Sequence, residues 1–272
     1  IYNSVTGTLQ LETNTTINGN RASVRGGGLY NEAANVTIDT SSIQNNISNQ
    51  FGGGIYNSGA NLTLTAATVT GNNGTIQGGG IYNTGTGLTL TTISAVNTNS
   101  SAVGAGIYNG GGGTITINGS STVNGNTSSS VGGGIYNTDA VSRVTITTSA
   151  VNGNTANSDG GGIYNSGSGG VTVTGSTINS NRASTGDGGA VFNTGAGNTV
   201  SINTSTILSG NSATQGGAIY NEQGTVTVNT STINGNSASV NGAAVFRQTG
   251  TTTVTASCIT NNSSTVDFYN AN

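Results

Sequence analysis

Proline, methionine, tryptophan, histidine and lysine are all absent from the 272 residues of this chain, and cysteine occurs once. Each absence excludes something. Without His or Lys the commonest side-chain bases are missing, so acid–base chemistry would fall to the eight carboxylates. A lone Cys258 rules out an internal disulfide. Charged residues make up 5% of the chain and all five basic ones are Arg. No basic patch is therefore available to nucleic acid or to an anionic membrane surface. No apolar run approaches the roughly 20 residues of a membrane-spanning helix. No cofactor is expected.

What the chain does have is glycine, 47 of them, among abundant Asn, Ser and Thr. Such a composition could belong to a disordered chain. The lack of Pro and the regular placement of aliphatics argue otherwise. Taking the apolar residue before the aromatic as marker, repeats begin at Ile1, Leu29, Ile55, Ile81, Ile107, Ile135, Ile163, Val191, Ile219 and Val245, with a partial last strand at 268–272. Most of these markers stand 26 or 28 residues apart. The chain starts at Ile1 in the middle of a repeat, as expected of a processed or partial product.

Each repeat carries three short apolar segments, for example Ile163-Tyr164-Asn165, Val171-Thr172-Val173 and Thr177-Ile178-Asn179. The middle one alternates apolar and polar residues, as a half-buried strand does. Gly, Asn and Ser between the segments suit tight turns. A unit of this size cannot bury its apolar side alone, whereas stacked copies can. The pattern predicts an all-β, three-sided, right-handed parallel β-helix over residues 1–272: one solenoid domain of about ten coils and no helices. At the usual strand spacing it would be a rod roughly 48 Å long.

Stacking turns repeated residues into columns. The aromatic column is Tyr2, Tyr30, Tyr56, Tyr82, Tyr108, Tyr136, Tyr164, Phe192, Tyr220, Phe246 and Tyr269. It holds all nine tyrosines, and alternation puts it on the face opposite the inward Ile. Beside it runs an Asn column: Asn3, Asn31, Asn57, Asn83, Asn109, Asn137, Asn165, Asn193 and Asn221. A second, from Asn20 through Asn46, Asn72 and Asn99 to Asn262, is expected to end the third strand. Stacked amides can hydrogen-bond to one another along the axis.

The recurring Gly-Gly-Gly-Ile-Tyr-Asn, with variants Gly216-Gly217-Ala218-Ile219 and Gly188-Gly189-Ala190-Val191, resembles the GGA(I/L/V) half of the polymorphic outer membrane protein repeat. Segments such as Ser176-Thr177-Ile178-Asn179-Ser180-Asn181 stand where that family has its FxxN half, with Ile or Val in place of Phe. The resemblance covers nearly the whole chain. It implies a right-handed parallel β-helix on a secreted or surface-displayed bacterial protein, often an adhesin or an autotransporter passenger.

Candidate chemistry is sparse. Asp159 and Asp187 each lie four residues before their marker, so they should stack about 5 Å apart. Such a pair could share a proton, hold a cation or do acid–base work, but two exposed loop acids balanced by Arg182 is the plainer expectation. No catalytic residue is expected. Thr63-x-Thr65, Thr89-x-Thr91 and Thr145-x-Thr147 would form a hydroxyl array of the kind that could bind ice, which Asn118, Ser201 and Asn203 interrupt. The chain opens on Ile1-Tyr2-Asn3 and closes on Phe268-Tyr269-Asn270, in the same phase. The leading expectation is therefore a structural subunit of an extracellular filament, stacking head to tail on copies of itself through those six residues. A surface adhesin or glycan-binding stalk using the tyrosines is the alternative.

Overall fold

The computed structural model describes residues 1–4, 7–32 and 34–271. Every strand pairing among the described residues is parallel and links one coil to the next, mostly in register, as Ile81, Tyr82 and Asn83 pair with Ile107, Tyr108 and Asn109; only the fourth strands show register shifts, as between Gly74 and Gln77. No helix occurs among the described residues. The chain is a parallel β-solenoid of about ten coils.

Most coils contribute four strands, one more than the apolar segments predict. In the third coil these are Ile55–Asn57, Asn61–Thr65, Thr68–Thr70 and Asn73–Gln77. Strands of the first kind form an 11-stranded sheet and those of the second a 10-stranded one. The third column divides into sheets of five and four strands, joined by Ala150, which bridges Thr122 on one side and Thr177 on the other. The fourth column is a nine-stranded sheet. Its inward positions carry Ala, Ser or Gly (Ala22, Ser48, Gly74, Ser101), too small and too mixed to read as a strand from hydrophobic alternation. The second Asn column therefore does not end the third strand. Asn46 sits between the third strand, which closes at Gln44, and the fourth, which opens at Ile47.

One aliphatic cluster runs along the axis from Leu11 to Val245, drawing on the first three strands of each coil. Ile81, Leu88, Leu90 and Val96 are the fourth coil's share, each 1% exposed or less. Removing one such side chain costs about 2–5 kcal/mol, because a closely stacked column cannot collapse onto the space.

The triple glycine turns the corner into the first strand, and its three positions differ. The first, from Gly26 to Gly242, always has φ of 60–67° and is glycine in every one of those copies. Only a residue without Cβ holds that conformation cheaply. At the second, a Cβ on Gly53 would stand 2.2 Å from the Asn73 carbonyl carbon. Ala nevertheless occupies the second position at Ala105 and Ala243 and the third at Ala190, Ala218 and Ala244. Crowding there can be relieved by small shifts, whereas the handedness at the first position cannot.

Candidate functional site

Alternation along Ile-Tyr-Asn decides what each column does. Ile and Asn point inward and the aromatic outward, clear of the aliphatic cluster. The aromatics are not a free surface, however. Tyr56, Phe192, Tyr220 and Phe246 are only 5–7% exposed. From Tyr56 to Tyr269 successive rings stack with centroids 4.7–5.3 Å apart and planes within 13°. Each inner ring's two faces are thus covered by its neighbours, and what reaches solvent is ring edge and hydroxyl. Burial pushes the Tyr108 and Tyr164 phenols well up, with neighbouring tyrosines adding to it. Tyr220 is pushed up to about 12 by burial and then by Asp187, Glu222 and Asp159.

The column is flanked by the residue just before the triple glycine: Arg25, Phe51, Gln77, Val103, Val131, Asp159, Asp187, Gln215 and Asn241 in successive coils. These side chains set the local character of the stack. Phe51 packs on Tyr82 with centroids 5.2 Å apart. The Arg25 guanidinium lies over the Tyr56 ring, 5.1 Å from its centroid. There the stacking changes, and Tyr30 meets Tyr56 edge-on at 85°. This flanking column carries no hydrophobic period, and the sequence singles out only its two acids, Asp159 and Asp187.

Both Asn columns are hydrogen-bonded ladders. In the first, each Nδ2 donates to the Oδ1 of the next coil, as Asn57 to Asn83 at 2.8 Å and Asn83 to Asn109 at 2.9 Å. The chain of amides runs unbroken from Asn3 to Asn221. It stops where Arg247 takes the position and donates to Gly250 O and Asn270 Oδ1 instead. The second ladder is denser. Asn126 Oδ1 accepts from both the backbone N–H and the Nδ2 of Asn99, while Asn126 Nδ2 donates to Val96 O and Asn154 Oδ1. Buried amides (most are 0–1% exposed) are tolerable only because their polar atoms are met this way.

Asp159 and Asp187 do stack, and they are half-buried rather than exposed. Asp159 Oδ1 accepts the Asp187 backbone N–H at 2.8 Å, and Asp187 Oδ1 accepts that of Gln215 at 2.9 Å. Burial raises both carboxyls, Asp187 to about 6. Arg182 does not balance them: its Nε donates to Ser184 Oγ at 3.3 Å. No group of three or more potential metal ligands occurs among the described residues. Cys258 is exposed and pairs in register with Thr232.

Tyr2–Asn3 and Phe268–Asn270 are the two outermost strands of the first sheet, with Ile1 just before the first of them. Ile1 and Tyr2 are 53% and 60% exposed and Phe268 40%. No helix among the described residues is long and apolar enough to cross a membrane.

The family model of the Chlamydia polymorphic membrane protein repeat matches residues 14–32 and 205–222. Both segments cover the same part of the coil: the third strand, the second Asn ladder, the glycine corner and the Ile/Leu-Tyr-Asn strand. The chain is a β-helix repeat protein similar to that family. Neither the curated proteins nor the solved structures contain a match.

Proposed function

We propose that this chain is a rigid, non-enzymatic β-helical rod displayed at a bacterial cell surface, in the manner of an outer-membrane or adhesin-like protein. The observation that carries the reading is the match of the polymorphic membrane protein repeat at two sites in the same phase of the coil. Two amide ladders and the aromatic stack bind coil to coil along the length, which suits a spacer that must keep its shape. Labelling of intact source cells with an antibody to the folded rod tests it. Signal without permeabilisation is expected, and signal only after lysis overturns the proposal.

The finer reading is head-to-tail assembly into a filament, Ile1–Asn3 of one copy meeting Phe268–Asn270 of another. The aromatic register supports it, since the column runs in one phase from Tyr2, 5.1 Å from Tyr30, to Tyr269, 4.9 Å from Phe246. Sedimentation velocity across a concentration series should show growing species, and a single monomer boundary throughout would sink it. Glycan recognition through the tyrosines gains little from the geometry, because stacking on sugars needs ring faces and the inner rings have none free.

A further inference from the structure

We propose that the fourth-strand face of the first coil is a binding site for an acidic polysaccharide, held through Arg21 and Arg25. A depression of about 500 Å³ opens there, lined by Arg21, Ala22, Ser23, Val24, Arg25 and Tyr30. Both arginines are exposed. Two of the five cations in a chain of net charge −3 thus line one hollow.

Neither cation is neutralised. Arg21 Nη2 donates to the neutral Asn49 Oδ1 at 3.0 Å. The Arg25 guanidinium lies over the Tyr56 ring, 5.1 Å from its centroid, and no carboxylate is among the groups acting on it. Packing on Tyr56 holds one face of the guanidinium and leaves the remaining N–H edge for a ligand. A planar, pre-oriented fork of donors suits an oxyanion, carboxylate or sulfate.

The polymer, rather than a free anion, is indicated by the rest of the same strand column. Two further depressions lie on the same strand column, one between Asn73 and Ser129 and one between Arg182 and Ser239. Their outward side chains are mostly hydroxyls and amides, among them Thr75, Ser100, Ser212 and Ser237. A shallow face of hydroxyls with few, spaced cations matches a hydroxyl-rich chain of low charge density. It is far too weakly basic for the dense phosphates of nucleic acid.

Calorimetric titration of the whole chain with polygalacturonate (carboxylate), dextran sulfate (sulfate), neutral dextran and inorganic sulfate tests the site. Binding of at least one acidic polymer is expected, weakening as salt rises, with neutral dextran and inorganic sulfate bound at least tenfold more weakly. Arg21→Gln should cost about threefold or more and the Arg21→Gln/Arg25→Gln pair at least tenfold. Arg143→Gln, on the second strand column, should change nothing. Arg25→Gln also loses its contact with Tyr56, so the melting temperature is measured alongside and Arg21→Gln alone keeps the test valid. No binding of either acidic polymer, equal binding of neutral dextran, or indifference to Arg21→Gln overturns the proposal. Surface display and ligand binding are separable here: cells can be labelled whether or not the titration shows heat.

Discussion

Tyr82 and Tyr108, 26 residues apart in the chain, lie ring over ring with centroids 4.7 Å apart and planes 5° apart. This contact is the unit from which the outer column is built. Phe192 and Phe246 keep the same stacking without a hydroxyl, so ring area and not the phenol is what the position requires. Tyr108→Phe should therefore leave urea stability within about 0.5 kcal/mol, whereas Tyr108→Ala should lower it by roughly 2 kcal/mol, less than a fully buried aromatic because one edge is wet.

The second Asn ladder makes a stronger demand. Replacing Asn126 by Ala leaves the backbone N–H and the Nδ2 of Asn99 without that acceptor and Val96 O without its amide donor, while Asn154 Oδ1 keeps the backbone N–H of residue 126. Unmet buried groups cost about 1–3 kcal/mol each, partly offset where a neighbour re-pairs. A loss of at least about 3 kcal/mol is expected in denaturant melts. A loss under 1 kcal/mol would show that these amides do not hold the coils together.

The inward aliphatics, the outward aromatics and both amide columns were legible in the sequence because each repeats one residue type at one phase. Their stacking follows from parallel pairing in register. The fourth strand was not legible, since Ala22, Gly74 and Ser101 supply no apolar alternation. The aromatic ladder was legible too, but not that its rings lie nearly parallel and close the faces that an exposed Tyr stripe would offer. Of the flank beside the aromatic stack only the Asp159–Asp187 pair was legible; Arg25 and Phe51 were not, because the position changes chemistry from coil to coil. The expected Arg182 counter-charge failed for a geometric reason: Arg182 lies in the fourth strand and bonds Ser184 beside it.

The Asp159–Asp187 pair should make stability depend on pH in the less usual direction. Burial raises the Asp187 carboxyl to about 6 in the folded chain, above its ordinary value near 4. The fold therefore binds that proton more tightly than the unfolded chain does. The stability it confers is full below about pH 4 and is lost as pH rises through about 6. Asp159, also raised, adds in the same sense. Asp187→Asn should raise stability at pH 7.5 by about 1 kcal/mol, allowing for solvent screening of a half-exposed group. It should also flatten the melting temperature between pH 4 and 7. A variant that melts lower than the parent at pH 7.5 would contradict the account.

Ile93 sits at φ 62° with 72% of its surface exposed. A β-branched residue in the left-handed region carries about 1–2 kcal/mol of strain, and this one recovers nothing by burial. Asn tolerates that conformation, so Ile93→Asn should stabilise the chain by roughly 0.5–1 kcal/mol. A thermal melt that shows no gain would mean that the turn is held differently.

Everything rests on equivalent residues lying over one another, coil upon coil. Thr63 is linked to Thr227 by six successive in-register pairings through Thr89, Thr116, Thr145, Thr172 and Ser201. Spin labels on Thr63→Cys and Thr227→Cys, with Cys258→Ser, give that separation directly by pulsed electron resonance. A single narrow distribution centred at about 29 Å, six strand spacings, is the predicted result. A broad distribution, or a centre more than about 10 Å away from it, would show that the coils do not stack as described.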